Sequence, residues 1–308
     1  MKISIKNILI LFALLFLCNQ KTIAQQDSQY TNYMYNTINV NPAYAGSRGV
    51  MSIFGLHRTQ WVGLNGAPTT NAFSLNTPIN NSKLGLGLSV VNDRIGPTSD
   101  NTVSADISYT INTSETYKLS FGIKASGNFF NLDVNKLNPA DPADDNLQPF
   151  NNEFSPNFGA GVYLHSDKLY FGVSVPNFME DKKYNDNDYV IFQERMNFYV
   201  IGGYVFDLSP TLKFKPAFLT KAVQGSPLQV DLSGNFLLFD KLTLGAAYRW
   251  DAAFSGMAGF QVTDGLFIGY GYDRETTNLR HYNSGSHEIF LRFELFSKVN
   301  KMVSPRFF

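Results

Sequence analysis

Four histidines, His57, His165, His281 and His287, are the side chains best suited to proton transfer or metal binding near neutral pH. None stands at a zinc spacing from a cysteine or a second histidine. His287-Glu288 begins like a zinc-protease motif. However, Leu291 occupies the position four residues on, and the segment reads as a strand. Ser286 beside His287 is the nearest approach to a nucleophile and its base. Neighbours on a strand point to opposite faces, so the two cannot share the required hydrogen bond. The acidic group Asp141, Asp144, Asp145 and Glu153 lacks calcium-loop spacing and reads as a solvated loop, as does the charged stretch from Asp181 to Asp188. There is no Gly-x-Ser-x-Gly elbow, phosphate loop or dinucleotide fingerprint. These residues predict no enzyme, no metal site and no cofactor.

The elements that would carry these residues are short strands. Apolar residues alternate with small or polar ones at 50–58, 69–77, 83–92, 101–111, 117–128, 156–166, 168–175, 194–207, 211–220, 227–237, 240–249, 254–262, 265–273 and 286–296. Leu84, Leu86, Leu88 and Val90 take one phase, against Gly85, Gly87 and Ser89. Ile289, Leu291, Phe293 and Leu295 do the same against Arg292 and Glu294. Period two puts each set on one face. The gaps alternate between long and short. The long ones include Thr59–Pro68, Asp93–Asp100, Phe129–Ser155, Pro176–Gln193 and Arg274–Gly285; the tight ones include 112–116, Asp167, 208–210, Phe239 and 263–264.

This pattern predicts an all-β fold: a transmembrane antiparallel β-barrel of about fourteen strands, with short periplasmic turns and longer extracellular loops. Closure follows because lipid tolerates no unpaired strand edge. A secreted β-sandwich array is the soluble alternative. Charges on the polar phase, Lys213, Lys215, Asp231, Arg292 and Glu294, either tune a pore or pair across strands and fill the interior.

Residues 1–24 read as a signal peptide. Lys2 and Lys6 precede an apolar run from Ile8 to Leu17, and Thr22-Ile23-Ala24 is a small-residue cleavage pattern. Cys18 raises a lipoprotein alternative, which the bulky Leu17 disfavours. Cleavage after Ala24 removes the one cysteine, and with it any disulfide or thiolate chemistry. It also removes Lys2, Lys6 and Lys21, taking the balance from 25 basic against 25 acidic groups to about −3. Such a chain has no electrostatic basis for binding nucleic acid or an anionic membrane surface; its expected surroundings are the bilayer of a bacterial outer membrane. Residues 25–49 form a polar leading segment that either lines the periplasmic mouth, plugs the lumen or stays mobile. The barrel and a short tail occupy 50–308.

The remaining distinctive residues form an ordered series. Asn41-Pro42-Ala43-Tyr44-Ala45-Gly46 comes first, then His57-Arg58-x-Gln60-Trp61-Val62-Gly63 running into Gly66-Ala67-Pro68. Ile95-Gly96-Pro97, Ser155-Pro156-Asn157-Phe158-Gly159 and Val175-Pro176-Asn177 follow. Tyr248-Arg249, Tyr270-x-Tyr272-Asp273, Gly285-Ser286-His287-Glu288 and the closing Ser304-Pro305-Arg306-Phe307-Phe308 complete it. In order and spacing the series resembles the PorP/SprF family of the type IX secretion system of Bacteroidota, over the whole chain after the leader.

The resemblance implies a barrel serving export and surface retention of a large secreted cargo, often an adhesin with a C-terminal sorting domain. It also implies periplasmic or outer-membrane secretion components as partners and, in some members, gliding motility. A transport channel for small or hydrophobic solutes on a similar barrel is the alternative. Set on the predicted topology, the motifs fall largely on the long-loop side. Arg58, Gln60, Trp61, Pro68, Ile95, Pro97, Pro156, Asn157, Arg249, Trp250 and His287 are therefore the expected partner-binding rim, since aromatic and Arg anchors dominate protein interfaces. The other reading of that rim is interfacial aromatics and loop-stiffening prolines. Asn41, Pro42, Tyr44 and Gly46 belong to the periplasmic or plug segment.

Overall fold

The computed structural model describes residues 30–80, 82–137, 150–184 and 190–295. The leader, Asp141 to Asp145, residues 185–188 and the closing Ser304–Phe308 motif lie outside the described residues.

Strands form where the alternation predicts them: β1 (Met51–Thr59), β2 (Thr69–Pro78), β3 (Leu84–Ile95), β4 (Thr98–Asn112), β5 (Lys118–Leu132), β6 (Phe150–His165) and β7 (Leu169–Val175). The second half comprises β8 (Asn197–Tyr204), β9 (Leu212–Val223), β10 (Gln229–Leu238), β11 (Leu242–Arg249), β12 (Ala253–Gln261), β13 (Leu266–Glu275) and β14 (Ser286–Leu295). Each pairs antiparallel with the next, and β14 returns to β1 from Met51↔Leu295 to Thr59↔His287, closing a fourteen-stranded barrel. After a break at Val205, Phe206–Ser209 prolongs β8 beside β9, with a register irregularity at Asp207/Ser209. A two-stranded ribbon, Asp181–Tyr184 with Val190–Glu194, projects from the β7–β8 connection.

The two faces are inverted relative to a water-soluble barrel. Leu86, Leu88, Ile289, Leu291 and Phe293 are exposed on the outside, while Ser89, Glu288 and Arg292 are buried within. An apolar outer wall around a polar inner one is the pattern a bilayer selects. No helix among the described residues is long and apolar enough to cross a membrane.

The connections need two corrections. Phe129–Ser155 is partly strand, since β5 runs to Leu132 and β6 starts at Phe150. Asp93–Asp100 is not a loop. β3 and β4 continue to the pair Ile95↔Thr98, joined only by Gly96-Pro97. Gly96 takes a φ of 56° and Thr98 Oγ1 donates to the Ile95 carbonyl at 2.8 Å. A Gly-Pro step with a left-handed first residue closes a hairpin tightly, so the polar run of Asp93, Arg94, Ser99 and Asp100 is strand extending past the apolar belt. The long connections follow β1, β5, β7 and β13, all at one end of the barrel.

Residues 30–50 lie inside the barrel. They fold as short turns, Tyr33–Tyr35 and Pro42–Tyr44, around a single helical turn, Thr37–Val40. Tyr33, Met34, Ile38, Ala43, Tyr44 and Ala45 are almost fully buried, in one cluster with Phe54, Leu56, Tyr163, Tyr170, Phe267 and Phe290 from the wall. Burying each large side chain contributes about 1.5–3 kcal/mol, against about 1–2 kcal/mol to fix each backbone residue. Apolar contact alone therefore leaves this segment near balance, and its polar anchors matter.

Candidate functional site

Period two on β1 places Ser52, Phe54, Leu56 and Arg58 on the inner face. The same phase turns Asp273 inward from β13 and Glu288 from β14. Arg58 Nη2 lies 2.6 Å from Asp273 Oδ2, and Nη1 lies 3.2 Å from Glu288 Oε2. The leading segment completes this group. Glu288 accepts from the Thr31 amide at 3.0 Å, the Asn32 amide at 2.9 Å and Asn32 Nδ2 at 2.7 Å. Thr31 Oγ1 donates to Asp273 at 2.7 Å and accepts from Arg58 Nη1 at 2.6 Å. A buried ion pair is tolerable only when its remaining lone pairs are met, and here the segment's own amides meet those of Glu288. Two strands further round from Asp273, on β11, Arg249 Nε binds Asp231 Oδ1 at 2.7 Å and Nη2 reaches the Tyr30 carbonyl at 3.4 Å.

The segment then descends toward the short-turn end. Lys124 donates to the carbonyls of Ile38 and Asn39 at 3.3 and 3.4 Å, beside Asp106 at 3.6 Å. Asn41 Nδ2 donates to the Val162 carbonyl at 3.0 Å, while Asn41 Oδ1 caps the following turn through the Ala43 amide at 3.0 Å. Pro42 and Ala43 press on β5 so closely that a Cβ added at Gly122 would lie 2.2 Å from the Ala43 nitrogen; at Gly85 it would lie 2.2 Å from the Ala45 carbonyl oxygen. Arg48 ends the descent by bonding Glu294, which also lies 3.5 Å from Arg292. The Arg292 guanidinium sits 5.5 Å from the Tyr35 ring centroid, and the Lys215 amine is 5.5 Å from the same ring.

The lumen charges thus pair and fill, and they do so with the leading segment as well as across strands. Lys213 differs: it pairs with Asp240 at 2.7 Å, in the turn below β10.

The expected rim residues divide. Arg58, Gln60, Pro68, Asn157 and Arg249 are buried. Asn157 grips its own loop, donating to the Met179 carbonyl at 2.8 Å and accepting from the Met179 amide at 2.9 Å. These five do not stand at an exposed rim: all are buried within the chain, and Arg58, Asn157 and Arg249 bond other parts of it. Trp61, Pro97 and His287 are half-buried. Trp61 Nε1 donates to Glu275 at 3.0 Å, and His287 Nδ1 lies 2.6 Å from the Tyr270 hydroxyl on the outer wall. Ser286 is buried and faces the other way, as strand alternation requires. Ile95, Pro156 and Trp250 are exposed. Asn41, Pro42 and Tyr44 are buried in the inner half of the lumen; Gly46 stands there at a φ of 71° against Pro78 and Gly85.

Asp273 and Glu288 belong to recognisable motifs, but sequence reasoning did not select them, and it missed Thr31 and Asn32 altogether. The available signal was phase: Glu288 shares the inner face with Phe290 and Arg292.

A closed barrel with an apolar exterior, a polar interior and a lumen occupied by its own leading segment defines a plugged outer-membrane β-barrel protein. The chain belongs to the family of type IX secretion system membrane protein PorP/SprF, whose family model matches residues 22–293. It is thus a membrane component of type IX secretion. In fold it is similar to a TodX deltaS2S3 mutant monoaromatic hydrocarbon channel, at 10% identity and a TM-score of 0.49, over 86% of this chain and 94% of that one. It is also similar to the NanC porin (11% identity, TM-score 0.44, 80% and 100% covered) and the KdgM porin (8%, 0.39, 80% and 99%). No curated protein matches the chain.

Proposed function

We infer that this protein works as a closed, non-enzymatic fixture of type IX secretion, holding a large secreted cargo at its long-loop rim while its own lumen stays shut. The observation that carries this reading is the clasp of Arg58, Asp273 and Glu288 on Thr31 and Asn32, which secures a segment running through the lumen. A barrel with its bore so occupied works through its surfaces. The rim offers Trp250 and Tyr282, 63% and 69% exposed, with Ile95 and Pro156. Exposed aromatics suit capture of a folded sorting domain. The leader is removed after Ala24 on this reading, which N-terminal sequencing of membrane-extracted protein checks.

Three measurements test the proposal. Purified protein in planar bilayers should conduct no ions, and a secreted adhesin-like cargo should co-purify with it. Steady single-channel conductance without cargo would instead establish a solute channel. Replacing Trp250 and Tyr282 with Ala should reduce cargo retention at the surface while the barrel still assembles.

A further inference from the structure

At the long-loop end of β13, outside the lumen, the wall carries a second constellation. The outward phase of this strand runs Ile268, Tyr270, Tyr272, Arg274. It passes from the apolar belt through two aromatics to a cation, the order met on leaving hydrocarbon for the headgroup layer. Phe254, directly across on β12, continues the apolar face and is exposed. Above them lies a cavity of about 460 Å³ lined by Phe254, Arg274, Glu275, Thr276, Arg280 and His281.

Two guanidinium groups and an imidazole thus meet one carboxylate, and Glu275 already accepts from the Trp61 indole at 3.0 Å. Among the described residues neither Arg274 nor Arg280 forms a salt bridge. Arg274 is nonetheless aimed: Nη1 donates to the Asn283 carbonyl at 3.0 Å and Nη2 to the Arg280 carbonyl at 3.2 Å. An arginine fixed by backbone and lacking a carboxylate is prepared for an external anion, and its fork matches phosphate oxygens.

We propose that this cavity binds the phosphate group of an outer-leaflet glycolipid, with Phe254 and Tyr270 against its acyl chains and Arg274 and Arg280 on the phosphate. A lipid is favoured over an acidic peptide because the cations cap a lipid-facing wall and the cavity floor is an outward phenylalanine. The ligand would thereby be held from the side, within the leaflet.

The test uses the full-length protein in phosphatidylcholine nanodiscs doped with diphosphoryl lipid A, with native mass spectrometry counting bound lipid. Wild type should retain lipid A, and the pair Arg274→Gln/Arg280→Gln should retain at least about tenfold less. Dephosphorylated lipid A should be held equally poorly by both, and inorganic phosphate should not displace the lipid. The heat-modifiable gel shift of a folded barrel should be common to both proteins. If the pair fails to fold, Arg280→Gln alone, in the loop and off the strand, carries the test. Equal retention by wild type and variant overturns the proposal. Displacement by inorganic phosphate or by poly-glutamate also overturns it, by showing a free-anion or acidic-peptide site.

Discussion

The leading segment is held by different physics at its two ends. Toward the long loops the grip is electrostatic: Arg58 faces two carboxylates, whose spare lone pairs are filled by the hydroxyl of Thr31 and the amides of Thr31 and Asn32. Toward the short turns it is largely steric. Ala43 and Ala45 run against bare backbone at Gly122 and Gly85, and the charges there, Arg48 and Arg292 around Glu294, are mainly cationic. A grip of charges is broken by deleting one charge, whereas a grip of shape is broken by adding one methyl. The upper end thus suits directional anchoring and the lower end close sealing.

The largest expected effect comes from the upper end. Arg58→Leu strands Asp273 and Glu288 in a buried site and should cost about 3–5 kcal/mol. It would be read as a fall in the urea midpoint of the barrel in detergent. An unchanged midpoint would mean that the carboxylates do not depend on the arginine.

The lower end comes next. Gly122→Ala should cost about 1–3 kcal/mol by overpacking, and it should open ion conductance as the segment is displaced. Adding Ala43→Gly should not rescue it, because the obstacle is the Ala43 backbone nitrogen. Rescue would show that the lower seal is made by side chains.

A smaller loss follows from Asp231→Asn, which weakens the hold on Arg249 and the Tyr30 carbonyl by about 1–3 kcal/mol; thermal melting reads it. The smallest effect belongs to an exposed pair at the short-turn end, Lys168 with Asp207 at 2.7 Å. The hydrogen bond from Lys168 to Asp207, with the carboxylate's charge, holds the lysine above its ordinary value. Its contribution is thus present at neutral pH and lost as pH rises through that raised value. Solvent screening makes it slight, so Lys168→Met should leave the melting temperature at pH 7 unchanged. A clear drop there would mean that surface charge matters as much as the lumen clasp.

How much of this was legible beforehand varies with the range of the interaction. The strands were legible because period-two patterning is a property of adjacent residues, and because lipid imposes an apolar phase on strand after strand. The Gly96-Pro97 hairpin was misread as loop because polar strand beyond the apolar belt looks like loop chemistry in one dimension. Arg58 and Arg249 were legible as special, but not as inward-facing. Their positions near strand ends suggested a rim, whereas their phase, shared with Leu56 for Arg58, pointed to the lumen.

By itself, then, the sequence determined a fourteen-stranded closed barrel, its two chemically opposite faces and its family, all carried by local alternation and by motif order. Only the tertiary structure decided that Thr31 meets Glu288 across 257 positions of sequence, and that a glycine on β5 is the seat of Ala43. Closure of the barrel brings those residues together. Whether buried charges from distant strands are satisfied depends on three-dimensional distance, which no spacing along the chain encodes.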